Sequence, residues 1–355
     1  MNLKIFTDNI DGKALNQIYE LVKLPPFEDC KIRIMPDVHA GAGCVIGFTG
    51  DLGDKVIPNI VGVDIGCGML TCKLGKVDID LTELDEVIRK VVPSGFDVHD
   101  KEFGYDIFKR LKCFGELKNI SHLNRSLGTL GGGNHFIELD VDKDDNKYLI
   151  IHSGSRNLGK QVAEIYQNKA IQACDGMHIP KDLCYLTGNE RLNYLFDSRI
   201  CREFAYDNRK AILNNICKEL DLIHNDYFTT IHNYIGVSDN IIRKGAISAY
   251  DGEKLLIPMN MRDGCILGIG KGNGDWNFSA PHGAGRILSR GEAKRQVELT
   301  DFEESMKGVY TTCVNKSTID ESPFAYKPPQ EILERIGDTV EIIDILKPIY
   351  NFKAS

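Results

Sequence analysis

The feature that most constrains the fold is a set of possible metal ligands spread from residue 64 to residue 282. They lie in short segments rich in glycine or small polar residues: Asp64 and Cys67 in GVDIGCGM, His135 in GGGNHFIEL, His152 in IIHSGSR, His232 in IHNY and His282 in SAPHGAGRILSR. Carboxylate, thiolate and imidazole bind transition metals, and glycine lets the backbone approach a phosphate closely. The pattern indicates metal-assisted phosphoryl chemistry. It also requires distant segments to converge, which favours one integrated α+β domain over independent modules.

Composition narrows the functional classes. The chain has 355 residues, 42% of them hydrophobic, and can bury a large core. Its net charge of −8 argues against a broad basic surface, so a nucleic-acid partner would need a local cluster of arginines. Eleven cysteines without CxxC pairs fit a reducing cytoplasm. The N-terminus does not resemble a signal peptide, and no apolar run approaches the roughly 18 residues of a membrane span. We therefore expect a cytoplasmic protein without a membrane partner.

Short apolar runs predict the strands. The runs KIRIM, CVIGF, IVGVD and MLTCKL within residues 31–72 indicate strands joined by tight turns. Residues 134–140 and 147–152 predict a strand pair, residues 254–270 two more strands, and the tail VEIIDILKPIY a final one.

Periodicity and glycine placement predict the helices: residues 80–92, 157–173 and 189–223, and one from near Gly285 through Arg290 to Val297. In the third of these helices, residues at helical spacing should face the core: Leu192, Leu195, Phe196, Ile200, Phe204 and Ile212. Together with the strands, they predict an α+β fold with central packed β-sheets surrounded by helices. Residues 1–355 would form a single domain with a helical insertion at approximately 157–223.

Each candidate ligand has an ordinary structural alternative. Asp64 could be a turn aspartate and Cys67 a buried free cysteine. Asn134 and His135 could follow a simple hairpin turn, and the residues after His152 could cap a helix. His232 stands beside apolar residues and, by itself, looks like a core histidine.

The segment His282-Gly283-Ala284-Gly285-Arg286 carries the strongest local signal. Its glycines predict a helix N-terminus, where backbone N–H groups bind anions. Arg290 would then share a helix face with Arg286. The alternative is a glycine-rich turn followed by two surface arginines. Neither GAGCVIG nor GIGKGNG has the spacing of a dinucleotide-binding fingerprint, and the chain contains no Walker A or G-x-S-x-G motif.

Taken together, the segments resemble the RtcB family of GTP-dependent RNA ligases. The resemblance runs over most of the chain: MPDVHAG, GVDIGCGM, LGTLGGGNHFIE, IHSGSR, HNY, RKGA, HGAGRILSR, AYK and the terminal Lys353. It implies a ligase that joins RNA ends carrying a 3′-phosphate or 2′,3′-cyclic phosphate to 5′-hydroxyl ends, using GTP and two manganese ions. RNA repair and tRNA splicing both remain open, and the sequence identifies no accessory activator.

The resemblance also implies roles for individual residues. Asp64, Cys67, His135, His152 and His232 would bind the two Mn²⁺ ions, with Cys67 bridging them. His282 would be the nucleophile that takes up GMP. The implied nucleotide contacts are Asn134, Glu138, Asn260, Gly283, Ala284, Gly285, Arg286, Tyr326 and Lys353. The implied RNA contacts are Arg125, Arg156 and Arg290.

The chain departs from the family pattern in two respects. It is shorter than many members, which points to a short branch of the family. It also has Met259-Asn260-Met261-Arg262 where the family usually has Gly-Ser-Met-Gly. Asn260 could replace the serine contact to the nucleotide, and Arg262 could bind RNA phosphate or pair with Asp263.

Two other functions are compatible with parts of the pattern. A metal-dependent phosphoesterase could open 2′,3′-cyclic phosphates without ligation, but it would not need His282 and its loop. A non-catalytic RNA-binding subunit would gain nothing from a complete polar cluster, because burying such groups is costly.

Overall fold

A computed structural model describes residues 2–354. Its strands are β1 (Asn2–Ile5), β2 (Lys31–His39), β3 (Ile46–Gly50), β4 (Gly68–Gly75), β5 (Phe136–Val141), β6 (Lys147–Ser153), β7 (Asp226–Ile231), β8 (Asn233–Ile235), β9 (Ile242–Lys244), β10 (Ala246–Ser248), β11 (Lys254–Asn260), β12 (Gly264–Gly270), β13 (Ser279–Pro281) and β14 (Val340–Lys353). Its helices are α1 (Gly12–Leu21), α2 (Pro58–Val61), α3 (Leu81–Val91), α4 (Ile120–Arg125), α5 (Arg156–Ala173), α6 (Gly188–Glu219), α7 (Arg290–Gln296), α8 (Leu299–Ser305) and α9 (Pro329–Leu333).

The strands form two large sheets and one small one. The seven-stranded sheet has the order β11-β12-β14-β5-β6-β4-β7 and is antiparallel throughout. The five-stranded sheet has the order β1-β2-β3-β9-β8, with only the β1–β2 pair parallel. Strands β10 and β13 form the third sheet. This arrangement confirms the predicted α+β class with packed sheets and flanking helices.

Helix α6 connects the two main hydrophobic cores. Its Ile200 and Phe204 pack into the core beside the five-stranded sheet. Its Ile212 and Ile216 pack into the core beside the seven-stranded sheet. The helix therefore fixes the two sheets relative to one another, and with them the side chains at their junction. No helix among the described residues combines the length and the apolar character needed to cross a bilayer.

The predicted strands β2–β6, β11, β12 and β14 and the predicted helices α3, α5 and α6 are present, but the sequence misjudged part of α6. Leu192 and Phe196 are 57% and 39% exposed rather than buried. The buried face at this point includes Asp197, whose carboxylate accepts hydrogen bonds from the backbone N–H groups of Lys112 and Cys113. The orientation of the helix here follows a buried polar network, which apolar periodicity cannot reveal.

Two further predictions were wrong. The run IVGVD is not a strand, because Pro58 starts the short helix α2 and the chain then turns at Gly62. The helix expected near Gly285 begins only at Arg290, where Ser289 forms a capping box with Glu292. Gly285 itself has a φ of +79°, which a right-handed helix does not allow.

Candidate active site

Five of the predicted ligands meet where the two large sheets adjoin. The groups Asp64, Cys67, His135 and Cys67, His152, His232 form two triads, each with its ligand atoms within 4.8 Å of one another. The Cys67 Sγ lies 3.3 Å from Nε2 of His135 and 3.3 Å from Nε2 of His152. The shared thiol makes this a pair of adjoining sites with one common ligand.

Strand ends place these ligands. His152 lies near the end of β6, between Met69 of β4 and Phe136 of β5 in the ladder. His232 occupies the single position between β7 of one sheet and β8 of the other. Its backbone N–H donates to the Cys67 carbonyl at 2.9 Å. The two triads therefore lie side by side at the junction of the two sheets.

Backbone carbonyl groups orient the two histidines nearest Cys67 by contacting their Nδ1 atoms. The Nδ1 of His135 lies 2.9 Å from the Leu130 carbonyl oxygen, and that of His152 lies 3.2 Å from the Asn134 carbonyl oxygen. When these nitrogens donate, each Nε2 presents its lone pair to the shared thiol. Metal-binding histidines are commonly held in this way. Within residues 2–354, the buried Nδ1 of His232 has no hydrogen-bond partner, which is compatible with a role in metal binding.

The electrostatics suit a metal centre. Burial, with smaller contributions from neighbouring histidines, lowers the pKa of His152 and His232 well below the usual range and keeps both rings neutral. Burial and the nearby Asp64 carboxylate raise the pKa of the Cys67 thiol. A cation would reverse that effect, because coordination favours the thiolate. The donor set and its charges therefore fit two transition-metal ions.

Close packing supports the Asp64 side of the site. The Asp64 Oδ1 accepts a hydrogen bond from the Ser155 backbone N–H at 3.0 Å. A Cβ at Gly154 would lie only 2.2 Å from the same oxygen, so a side chain there would displace the carboxylate. Burial alone would raise the pKa of Asp64, but contacts with His135 and Arg156 outweigh it and lower the pKa below its usual range.

His282 lies beside the metal triads and is held by an aspartate. Its ring centroid is 4.8 Å from that of His232. The Asp37 Oδ2 is 2.6 Å from the His282 Nδ1 and also accepts the His282 backbone N–H at 3.0 Å. Asp37 is completely buried. This contact fixes the ring so that Nε2 is the nitrogen free to react.

The loop after His282 is restricted by its close approach to Asp37. The Asp37 Oδ2 also accepts the Gly283 N–H at 3.3 Å. A Cβ on Gly285 would lie 2.2 Å from the Asp37 carbonyl oxygen, so only glycine fits there. Gly283, Ala284 and Gly285 all line a pocket of about 320 Å³ that also contains His152, His232 and His282. The segment that was predicted to bind phosphate at a helix N-terminus is therefore a loop that follows β13.

Glu321 organises the far wall of this pocket. Its carboxylate contacts Lys353, Arg286 at 3.3 Å, Arg290 at 2.7 Å and the Tyr326 hydroxyl at 2.7 Å. Burial would raise the pKa of Glu321, but the surrounding cations outweigh it and lower the pKa to about 2. The carboxylate thus keeps its charge and gathers the predicted nucleotide-binding side chains at one wall.

Several other predicted contacts also line the pocket. Asn134 and Glu138 lie on its walls. The Glu138 carboxylate is 2% exposed and accepts from the Asn351 amide. Lys353 lies within 3.5 Å of the Asn134 carbonyl oxygen and 5.7 Å from the centre of the Phe136 ring.

The turn that departs from the family pattern is stabilised by its own side chains. The Asn260 carbonyl Oδ1 accepts the backbone N–H groups of Arg262 and Asp263, both at 3.0 Å. Its Nδ2 donates to the Asp263 carboxylate at 2.8 Å. Arg262 pairs with Asp263 at 2.7 Å. Asn260 lines the pocket, but its amide is engaged in the turn, and the ion-pair alternative for Arg262 is the one observed.

The predicted RNA-binding arginines are not all close to the pocket. Arg290 lines it and is 46% exposed at the side chain. Arg156 lies behind the triads, with Nη1 3.2 Å from the His135 Nδ1, and its φ of +54° is strained for a non-glycine residue. Arg125 ends α4, and its buried Nε has no hydrogen-bond partner among the residues that the structure describes. Within residues 2–354, the pocket lining includes neither Arg125 nor Arg156.

Residue-by-residue reasoning missed three important side chains. Asp37 stands in the MPDVHAG segment, where nothing in its local sequence context marks it as functional. Glu321 stands in no recognised motif. Arg209 of α6 is also fully buried and donates to the carbonyls of Gly66 and Ser153 at 2.9 and 2.8 Å, directly behind the metal ligands.

Comparisons with known proteins agree with this geometry. A family profile described as "tRNA-splicing ligase RtcB" matches residues 17–112 and 112–354. The chain is 31% identical to the RNA-splicing ligase RtcB of Escherichia coli K12, over 96% of this chain and 94% of that protein. It is 26% identical to the tRNA-splicing ligase RtcB of Methanococcus maripaludis, over 95% and 90% of the two chains. It is also 26% identical to the tRNA-splicing ligase RtcB of Aeropyrum pernix, over 85% and 83%.

Proposed function

The chain belongs to the RtcB family and is an RNA ligase, and from that premise we propose that it joins a 3′-phosphate or 2′,3′-cyclic phosphate end of RNA to a 5′-hydroxyl end through a histidine–GMP intermediate. The observation that carries this proposal is the pairing of His282 with Asp37 beside two triads that share Cys67. A phosphoesterase would need the triads but not the oriented histidine. None of the relatives' names supports that alternative.

The first step is guanylation of His282. Its Nε2 attacks the α-phosphorus of GTP, a P–N bond forms, and the P–O bond to pyrophosphate breaks. The Nδ1 proton stays in the hydrogen bond to Asp37, which stabilises the positive charge that develops on the ring. The Gly283–Gly285 loop lets the phosphates lie close to the backbone.

The second and third steps transfer this activation to RNA. An oxygen of the RNA 3′-phosphate attacks the guanylate phosphorus and breaks the P–N bond, which frees His282. The 5′-hydroxyl of the other end then attacks the activated 3′-phosphorus, a phosphodiester forms, and GMP leaves. A cyclic phosphate must first be opened by water to a 3′-phosphate.

Two metal ions, which the family resemblance suggests are Mn²⁺, would be held by Asp64, Cys67, His135, His152 and His232. When bound, they supply Lewis acidity and offset the charge of the phosphates. Thiolate and imidazole ligands would also suit zinc or cobalt, so the manganese assignment rests on the resemblance.

Roles for the pocket wall follow from its contacts. We assign Glu138 and Lys353 to the guanine edge, Tyr326 to packing on the base, and Arg286 to the nucleotide phosphates. Asn134 and the 283–285 loop would help to hold these phosphates. Arg290 is the most exposed of the Glu321 partners and is assigned to RNA phosphate.

The direct test is ligation of a broken RNA stem-loop that carries a 2′,3′-cyclic phosphate and a 5′-hydroxyl. A sealed product that requires both GTP and Mn²⁺ is expected. If the cyclic phosphate opens to a 3′-phosphate without joining under any nucleotide or metal condition, the proposed reaction is wrong.

Asp37→Asn tests the orientation of the nucleophile. The substitution keeps the shape of the side chain but removes its charge and favours the wrong histidine tautomer. By analogy with serine-protease triads, we expect guanylation to fall on the order of 10³- to 10⁴-fold. Transfer of GMP from α-labelled GTP measures the step, and unchanged metal content serves as the folding control. A loss of less than tenfold would contradict the assigned role.

Arg290→Ala tests the RNA contact. We expect sealing of RNA to fall about 10-fold or more, while labelling by GTP falls only a few-fold, because a charge-assisted contact is worth roughly 1.5–3 kcal/mol. Lys294→Ala is the matched control, since Lys294 approaches the same Asp320 at 3.5 Å but does not line the pocket. Equal losses in both steps would show that Arg290 does not act on RNA.

A further inference from the structure

A second buried carboxyl lies directly beside Glu138. Glu138 and Asp140 are two residues apart on β5 and therefore face the same side of the sheet. Together with the Cys265 thiol of β12, their ligand atoms lie within 4.8 Å of one another. The two carboxyls are 2% and 0% exposed. Neither Asp140 nor Cys265 stands in a motif that marks it as functional.

The two carboxyls have very different partners. Glu138 accepts from the Asn351 amide and, at 3.7 Å, from the Cys265 thiol. Among residues 2–354, no N–H or O–H donor pairs with either buried oxygen of Asp140. The surroundings are largely apolar, and Leu256 and Leu346 belong to the same buried cluster as Cys265.

Few charged groups face this pair from the neighbouring strands. Strand β14 contributes Lys353, whose charge favours ionisation of Glu138. Strand β12 contributes Cys265, which burial and both carboxyls keep as a thiol by raising its pKa. Strand β6 contributes Tyr148, whose hydroxyl donates instead to Asp142. Lys353 also pairs with Glu321, so among residues 2–354 this one cation is shared by three carboxyls.

Physical chemistry then determines where the proton resides. Two buried carboxyls this close cannot both ionise. Burial raises the pKa of Glu138 to about 7, although Asn351, Asp140 and Lys353 oppose it. Burial and the Glu138 charge together raise the pKa of Asp140 well above its usual range. Asp140 is thus the member that keeps its proton.

We propose that Asp140 is a positioning residue for nucleotide selection: it stays protonated and donates its O–H to Glu138, which carries the single negative charge of the pair towards the base. This inference rests on the proposed function of Glu138 at the guanine edge. A carboxylate offers two acceptors, which match the N1–H and N2–H₂ donors of guanine. Adenine presents one donor and one acceptor on the same edge, so a charged Glu138 disfavours it.

The proposal gives guanine binding a definite pH dependence. If the pair takes up a second proton, Glu138 presents an O–H that opposes the guanine N1–H. The protein therefore binds guanine when the pH lies above the pKa of Glu138, and it loses this affinity as the pH falls through that pKa. A donor at position 140 stabilises the charged form of Glu138 and extends guanine binding to lower pH.

The test compares Asp140→Asn with Asp140→Leu. Binding of GMP and AMP, each with Mn²⁺, is measured between about pH 6 and pH 9. Asparagine retains a donor, so it should match the wild type within a factor of about two to three. Leucine removes the donor. We expect GMP binding at pH 7 to weaken about fivefold and its pH midpoint to rise by about one unit, with AMP binding unaffected.

Two binding outcomes would overturn the inference. Tighter GMP binding by Asp140→Asn, with a lower pH midpoint, would mean that Asp140 is charged in the wild type. Wild-type behaviour of Asp140→Leu would mean that the two carboxyls are not coupled. Loss of a bound metal ion in Asp140→Asn would also overturn it, since the cluster would then be a metal site.

A measurement without nucleotide separates this inference from the proposed function. Carboxyl-carbon NMR of the wild-type protein, with Asp140→Asn used to assign the signal, should find Asp140 protonated through neutral pH. If GMP does not bind but Asp140 stays protonated, only the nucleotide assignment fails. If GMP binds selectively but Asp140 titrates near its ordinary value of about 4, the inference fails alone.

Discussion

Replacing His282 with alanine is expected to abolish covalent labelling by α-labelled GTP and to reduce ligation by at least about a thousandfold, because the nucleophile itself is removed. His282 belongs to neither triad, so both metal ions should remain bound. Gel detection of labelled protein and metal analysis of the same sample measure the two effects.

The matched control is His178→Ala, which removes an exposed histidine and should leave both measurements unchanged. Retained labelling in His282→Ala would place the guanylate on another residue. Loss of metal together with labelling would instead show that His282 is itself a ligand, which its ring distance of 4.8 Å from His232 makes worth testing.

Replacing Cys67 with alanine should remove both metal ions and all chemical steps. Its Sγ is the one atom common to the two triads, so its loss leaves each site with two ligands. We expect metal affinity to fall by at least about a hundredfold at both sites, since even outer-sphere substitutions cost 10- to 100-fold. Metal analysis after dialysis, together with GTP labelling, measures the result.

Substitutions that affect one triad at a time test whether each triad forms a separate metal site. His135→Ala should weaken the site that contains Asp64, and His232→Ala should weaken the other site. Cys72→Ala is the control, because Cys72 is buried on β4, the strand that directly follows Cys67, but lies outside both triads. Loss of only one ion in Cys67→Ala would show that the thiolate does not bridge.

Much of the site could be predicted because its candidate ligands lie in short segments with distinctive sequences. The Asp-x-x-Cys pair and the histidines combine a scarce ligand set with glycines, and the structure brings all six side chains together as expected. The strand predictions also succeeded around the site: β5 and β6 were read from alternating apolar runs.

Predictions failed where a distant partner decides the outcome. The helix expected at Gly285 was displaced to Arg290, because the loop must pass within contact distance of Asp37. Leu192 and Phe196 face outward because Asp197 turns α6 towards the 112–113 backbone. These contacts join residues far apart in sequence, and no local pattern marks them.

The sequence by itself determined the candidate ligand set, the family and the α+β class, since these depend on residue types, their order and local periodicity. Only the tertiary structure decided that Asp37 holds His282, that Glu321 contacts the basic side chains of the pocket wall and that Asp140 lies beside Glu138. The physical reason is that distances and burial set hydrogen bonds and charge states. Those quantities arise only when segments separated by tens to hundreds of residues pack against one another.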